Sequence, residues 1–190
     1  QNRRYLGSIS DKVRAVIVPS QTFAGTVRHE FNNNFKLHVL PNSVPRVFFE
    51  AASQKSERIC AGKPIAYMAR LDSLKNIDEA LKIFGRIKQR HDLFFVIVGA
   101  GATDLQFIRR IEESGMVDKT IIRSKISYDK VTSFFSFLRA HQGIFLAPSK
   151  AESFGMVVAE SIVSGVPVLA SDIPEHRTRL HADSDCLSSL

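Results

Sequence analysis

The sequence predicts an α/β fold in which a doubly wound parallel sheet carries helices on both faces. Three observations support this. Short strand-like runs alternate with helix-period segments from residue 64 onward. The run LFFVIVGAG (93–101) is apolar without alternation, as in a strand buried on both faces of a parallel sheet. Gly115 and Gly165 close two helical segments, with Pro167 just beyond the second.

Taken in order, VRAVIVPS (13–20) reads as a strand, QTFAGTVRHEF (21–31) as a helix and FKLHVLPN (35–42) as a second strand. Residues 50–63, EAASQKSERICAGK, show no period and read as a linker. A strand at 64–70 follows, then a helix over 76–91 with Asn76 as N-cap and Ala80, Leu81, Phe84 and Ile87 on one face. Next come the buried strand 93–101, a helix over 103–115 opened by Thr103 or Asp104, a strand at 119–126, a helix over 128–141 and a strand at 143–149. The segment AESFGMVVAESIVSGVPV (151–168) supplies a helix ending at Gly165, and 166–172 the next strand. Three units follow: residues 1–44, the tail of another α/β domain; residues 45–62, a linker; and residues 63–190, the principal domain, expected to be incomplete at its end. The front piece, two strands and one helix, is too small for a full core, so the chain reads as a fragment.

Composition narrows the function. Of the 190 residues 44% are hydrophobic, ordinary for a globular chain, and no apolar run approaches the roughly 20 residues of a membrane span. The opening QNRRYLGSIS is polar, unlike a signal peptide. Cys60 and Cys186 have neither metal-ligand nor redox spacing and read as free thiols of a reducing compartment. The net charge of +7 lies almost wholly in residues 1–63, which hold ten Lys/Arg against four Asp/Glu. These cations are scattered without interleaved aromatics. They fit a solvated surface, an anionic membrane surface or an acidic ligand better than a nucleic-acid stripe.

Ligands of doubly wound sheets bind at the C-terminal ends of the strands. Arg70 and Lys75 follow the first strand of the principal domain, Gly99 and Gly101 the second, SKIS (124–127) the third and PSKAESFG (148–155) the fourth. Two cations, a glycine turn and a helix N-terminus on one sheet edge suit an anion, above all a phosphate or diphosphate. Each feature alone has a plain structural alternative. The cations suit a surface, the glycines a tight turn and Glu152 the positive end of a helix dipole. Glu160 shares a helix face with Ser161 and Ser164, which would be an exposed polar stripe opposite a buried Met156, Ala159, Ile162 and Val163.

The stretch PSKAESFGMVVAESIVSGVPVLASD (148–172) resembles the donor-site signature of retaining GT-B glycosyltransferases of the family 4 type. ARLDSLKN (69–76), VIVGAG (96–101), VIVPS (16–20) and HVLPNSV (38–44) are similar to other segments of that family, in the same order. The resemblance implies a Rossmann-like GT-B C-terminal domain, truncated here, that binds a UDP-, GDP- or ADP-sugar and transfers the sugar with retention. It implies that Glu152 accepts hydrogen bonds from donor-sugar hydroxyls and Glu160 from the ribose hydroxyls. Arg70 and Lys75 would neutralise the diphosphate, with Gly99 and Gly101 allowing close backbone approach. Ser153, Phe154, Gly155, Met156 and Val157 would line the donor, the last four through backbone N–H groups. Lys125 and Ile126 would contact the base through the backbone. The implied site needs no metal or other cofactor.

The implied partners are a nucleotide-sugar and a glycan or lipid-linked acceptor, in polysaccharide or glycoconjugate synthesis in the cytoplasm or at the membrane surface. Nucleic acid is not among them. Ala69 and Ser124 stand where the family usually has glycine, which narrows backbone approach to the nucleotide. The fragment is expected to bind nucleotide weakly, to transfer no sugar, and either to pair with a second copy through its open strand edges or to leave its front segment partly disordered. A non-catalytic binding module, a sugar-nucleotide epimerase and a basic nucleic-acid binder remain the alternatives.

Overall fold

The computed structural model describes residues 13–30, 36–55, 57–180 and 187–188. A small parallel pair comes first: β1 (Ala15–Val18), α1 (Gln21–Glu30) and β2 (Lys36–Val39). It has its own cluster of Val18, Ala24 and Val27, while Ile17 and Leu40 stay 65% exposed.

The main sheet holds β3 (Lys63–Met68), β4 (Leu93–Val98), β5 (Thr120–Arg123), β6 (Ile144–Ala147), β7 (Val168–Ser171) and β8 (Leu187–Ser188). Its spatial order is β5-β4-β3-β6-β7-β8, with every pairing parallel. Successive strands run outward from β3 on one side and from β6 on the other. The β3–β6 boundary is therefore the switch point where the strand order reverses and a crevice opens.

Alternation along the strands splits the core into two faces. Ile65, Tyr67, Phe95, Ile97 and Leu146 face α3 (Ile77–Ile87) and α4 (Leu105–Glu113), where Ala80, Phe84, Phe107 and Ile111 are buried. Ala66, Val96, Val98, Phe145, Val168 and Ala170 face the other side, with Phe135 and Leu138 of α5 (Val131–Ala140) and Val158 of α6 (Met156–Val163). Leu81 and Ile87 are only partly buried, at the margin of the face the period assigned them. A short α7 (Pro174–Arg177) and β8 were not anticipated from sequence.

Three local features differ from the sequence reading. Residues 45–62 are not a plain linker, since α2 (Arg46–Ser53) buries Phe48 completely against Phe135. A reading that starts at residue 50 leaves that anchor out. Arg139 of α5 donates to the carbonyls of Ala51, Ala52 and Gln54 at the end of α2. The buried His141 accepts from the Ile59 and Cys60 amides through Nε2, while its Nδ1 lies 2.9 Å from the Phe137 carbonyl. Asn76 has the left-handed φ of 54° and makes no side-chain cap, and neither does Asp104. The punctuation after α6 is as expected: Gly165 has φ 73°, and the Val166 amide reaches back to the Ser161 carbonyl.

Candidate functional site

A cavity of about 250 Å³ lies at the switch point, over the C-terminal ends of β3 and β6. Met68, Ala69, Arg70 and Lys75 wall it on one side, and Ser149, Glu152, Ser153, Phe154, Gly155, Met156 and Val157 on the other. Asn42 closes it from the front segment. A second groove of about 470 Å³ shares Arg70, Lys75, Glu152 and Ser153 with it and runs toward Thr22 and Thr26 of α1 and Glu175 of α7.

The two loops meet through an ion pair. Lys75 Nζ donates to Glu152 Oε1 at 2.6 Å, and both side chains are mostly buried, at 19% and 16% exposure. Ser149 Oγ donates to the same oxygen at 2.8 Å. Ser149 is fixed in turn: its carbonyl accepts from Ser171 Oγ, and the Ser171 carbonyl lies 2.9 Å from Nδ1 of the fully buried His176. Burial holds His176 below its ordinary pKa, so the ring is neutral with Nδ1–H donating. The Lys150 amide adds a bond to the Leu74 carbonyl. The cation loop and the loop before α6 are thus one unit.

Tyr67 holds the cation loop from below. Its phenol reaches the carbonyls of Arg70, at 3.0 Å, and Lys75, at 3.3 Å. Burial, with nearby Asp72, Asp78 and Glu152, drives its pKa far above the ordinary value, so it stays a donor. Tyr67 falls in the strand expected at 64–70, and nothing local marks its hydroxyl. Arg70 differs from Lys75 in being exposed, with Asp72 as its one ion partner among the described residues.

Gly155 is the N-cap of α6, with φ 80° and no side-chain cap. The first amides of α6 have no intrahelical partner, and Gly155, Met156 and Val157, which begin it, line the cavity. A carboxylate-lined cavity beside free N–H groups and two cations can bind an anionic group that also carries hydroxyls.

Glu160 is one turn into α6, because the helix starts only at Met156. It is 5% exposed, which rules out the exposed stripe, and it is Ile162 that is exposed, at 38%. Burial raises its pKa from 4.5 to about 7, opposed by a hydrogen bond from Tyr128. That bond, phenol to Oε1 at 3.5 Å, is the one hydrogen bond of its carboxylate among the described residues.

Glu160 and the remaining expected positions, Gly99, Gly101, Lys125 and Ile126, lie outside the cavity wall. Gly99 packs on the cation loop: a Cβ there would stand 1.8 Å from the Ala69 carbonyl oxygen. Gly101 provides a left-handed turn at φ 88°. Lys125 is exposed and Ile126 packs against the core, beyond the edge strand β5. The Ser153 carbonyl accepts from Ser20 Oγ at 2.8 Å, the contact by which the front segment reaches this loop. An Asp-x-Asp, a common cation-binding arrangement, does occur in the sequence at Asp183–Ser184–Asp185, outside the described residues. No helix among the described residues is long and apolar enough to cross a membrane.

Known proteins share the sequence pattern and the fold of this chain. The family model for glycosyl transferases group 1 matches residues 49–181. A sucrose synthase of Melioribacter roseus is 30% identical over 122 residues, 57% of this chain and 15% of that protein. The phosphatidylinositol N-acetylglucosaminyltransferase gpi3 subunit of Schizosaccharomyces pombe is 26% identical over 180 residues, 90% of this chain and 38% of that protein. The chain therefore spans well under half the length of these relatives. Among solved structures, Anabaena Alr3699/HepE in complex with UDP and glucose superposes with TM-score 0.70 at 15% identity, over 93% of this chain and 49% of that one. At that identity the likeness speaks for the fold.

Proposed function

The chain belongs to the group 1 glycosyl transferases, with the GT-B type of fold, and on that premise we propose that it carries the donor half of a retaining transferase. The donor is a nucleoside-diphosphate sugar and the acceptor a hydroxyl of a glycan or lipid-linked glycan. The observation that carries this reading is the Lys75–Glu152 pair at the switch point, beside the uncapped N-terminus of α6 with buried Glu160 one turn farther along.

Each group has a role that its chemistry permits. Lys75, Arg70 and the first amides of α6 stabilise the diphosphate as negative charge grows on the leaving group. These fixed charges and dipoles take the part a divalent ion plays elsewhere. Glu152, held by Lys75 and Ser149, keeps one oxygen for sugar hydroxyls. Glu160 accepts from the ribose hydroxyls, which supply the donors that its buried carboxylate lacks. Ser20 and α1 bring the acceptor side of the protein against the donor loop. Orientation across that groove is the rest of the catalysis. The leaving group departs toward the cations, and the sugar keeps its anomeric configuration.

The reading is tested by thermal shift and calorimetry with UDP, GDP and ADP. One of them is expected to stabilise the chain, by about 2.7 kcal/mol at 100 times its Kd. Arg70→Ala and Lys75→Ala should weaken the diphosphate while sparing the bare nucleoside. No response to any of the three, or equal losses for both ligand types, defeats it.

A further inference from the structure

Glu160 and its neighbour Tyr128 leave a question that the donor reading does not answer. A carboxylate 5% exposed has one hydrogen bond among the described residues, and at 3.5 Å that bond is at the limit of the geometry. Its donor, Tyr128, follows β5 and begins the turn into α5, on the sheet edge that carries Arg70 and Ser149. Its ring meets Phe48 edge-on, with centroids 6.1 Å apart and planes at 62°. Beyond that contact Tyr128 is 58% exposed. Two residues earlier Ile126 turns into the core, so the loop points one apolar side chain inward and holds one aromatic ring outward over the carboxylate.

What sets Tyr128 apart is its place: an open ring on the strand-end edge whose hydroxyl already meets the buried Glu160 carboxylate. The aromatics of the cavity wall, Tyr67, Phe145 and Phe154, are unavailable: all three are buried, and the Phe154 ring lies under the Arg179 guanidinium, 3.8 Å from the centroid. A ribose held at Glu160 brings its attached base next to the group that already touches that carboxylate. Every base has a π face, and aromatic side chains stack on it.

Resting on the nucleotide reading above, we propose that Tyr128 is the aromatic wall of the nucleoside subsite, on which the base stacks while Glu160 takes the ribose hydroxyls. The phenol hydroxyl then remains a weak auxiliary donor to Glu160, and the ring face does the holding. Stacking is tolerant of base identity, so the choice among nucleotides is left to the backbone of 124–127.

The test is calorimetry on the full 190-residue chain with UDP, GDP, ADP and inorganic pyrophosphate, for wild type, Tyr128→Phe, Tyr128→Leu and Tyr128→Ala. Leu keeps an apolar contact with Phe48, so a packing defect confined to Ala is recognisable. The best nucleotide should bind Tyr128→Phe within about 3-fold of wild type. It should bind Tyr128→Leu and Tyr128→Ala about 5- to 100-fold more weakly. Pyrophosphate affinity should not change. Base protons of bound nucleotide should shift upfield by NMR with wild type and Tyr128→Phe, but not with Tyr128→Leu. Wild-type affinity in Tyr128→Leu, a parallel loss for pyrophosphate, or a Phe variant as weak as Ala overturns the proposal. If wild type binds none of the three nucleotides, the donor reading itself falls and this proposal with it.

Discussion

Replacing Glu160 by Gln keeps the size and hydrogen-bonding shape of the side chain and removes its charge. The wild-type carboxyl is raised from 4.5 to about 7 by burial. At about 1.36 kcal/mol per pH unit, this corresponds to roughly 3 kcal/mol between the protonated and ionised forms of the folded chain. The sign follows from proton binding. Between pH 4.5 and about 7 the unfolded chain has lost this proton and the folded chain keeps it. Stability from this group is therefore full below pH 4.5 and is lost as pH rises through about 7. The amide of the Glu160→Gln variant has no proton to lose. Urea unfolding at pH values from about 4.5 to about 8 should show the variant gaining on wild type by up to roughly 3 kcal/mol as pH rises to about 7, and no further above it. Nucleotide affinity supplies a second readout. The ribose needs an ionised acceptor, so wild-type binding should strengthen from about pH 5.5 to about pH 8 relative to Glu160→Gln, whose own profile cancels the titration of the phosphates. Parallel stability curves for the two proteins would refute the burial argument. Equal affinity at every pH would remove Glu160 from the ribose.

Two further substitutions test the frame around the site. Tyr67→Phe removes the donor that ties the Arg70 and Lys75 carbonyls; it should cost about 1 kcal/mol of stability and weaken pyrophosphate binding, and calorimetry showing wild-type affinity would mean that the loop holds its shape without it. Gly99→Ala puts a methyl 1.8 Å from the Ala69 carbonyl oxygen and forces the cation loop away; it should lower thermal stability far more than Gly101→Ala, where the left-handed φ of 88° costs on the order of 1–2 kcal/mol, and the reverse order of melting temperatures contradicts the close approach.

What the sequence by itself determined is the part written in short windows. The apolar run 93–98 implied a strand covered on both faces, and all six of its residues pair in the middle of the sheet. Gly165 with Pro167 marked the end of α6, and the spacing of Ala80 and Phe84 marked the buried side of α3. Such signals need only i+2 or i+4 periodicity and local φ, which any stretch carries within itself. The glutamate segment pointed to the loop and helix that now wall the cavity because it follows a strand and resembles a family's donor-site signature.

Other properties belong to the tertiary structure. Lys75 meets Glu152 across 77 residues, Ser20 meets Ser153 across 133, and Tyr128 meets Glu160 across 32. Glu160 looked like part of a surface stripe because its helix is polar on that side; its burial is tertiary, and the Tyr128 turn is in contact with it. Gly99 read as a phosphate-approach glycine, and it is the Ala69 backbone that fills the space a Cβ would need. Tyr67 carried no mark of its hydroxyl's task. Each of these outcomes depends on which distant segment the parallel crossovers bring alongside, and no local period encodes that. The free energy of a buried polar group is set by its partners, and in this chain the partners come from the strand order.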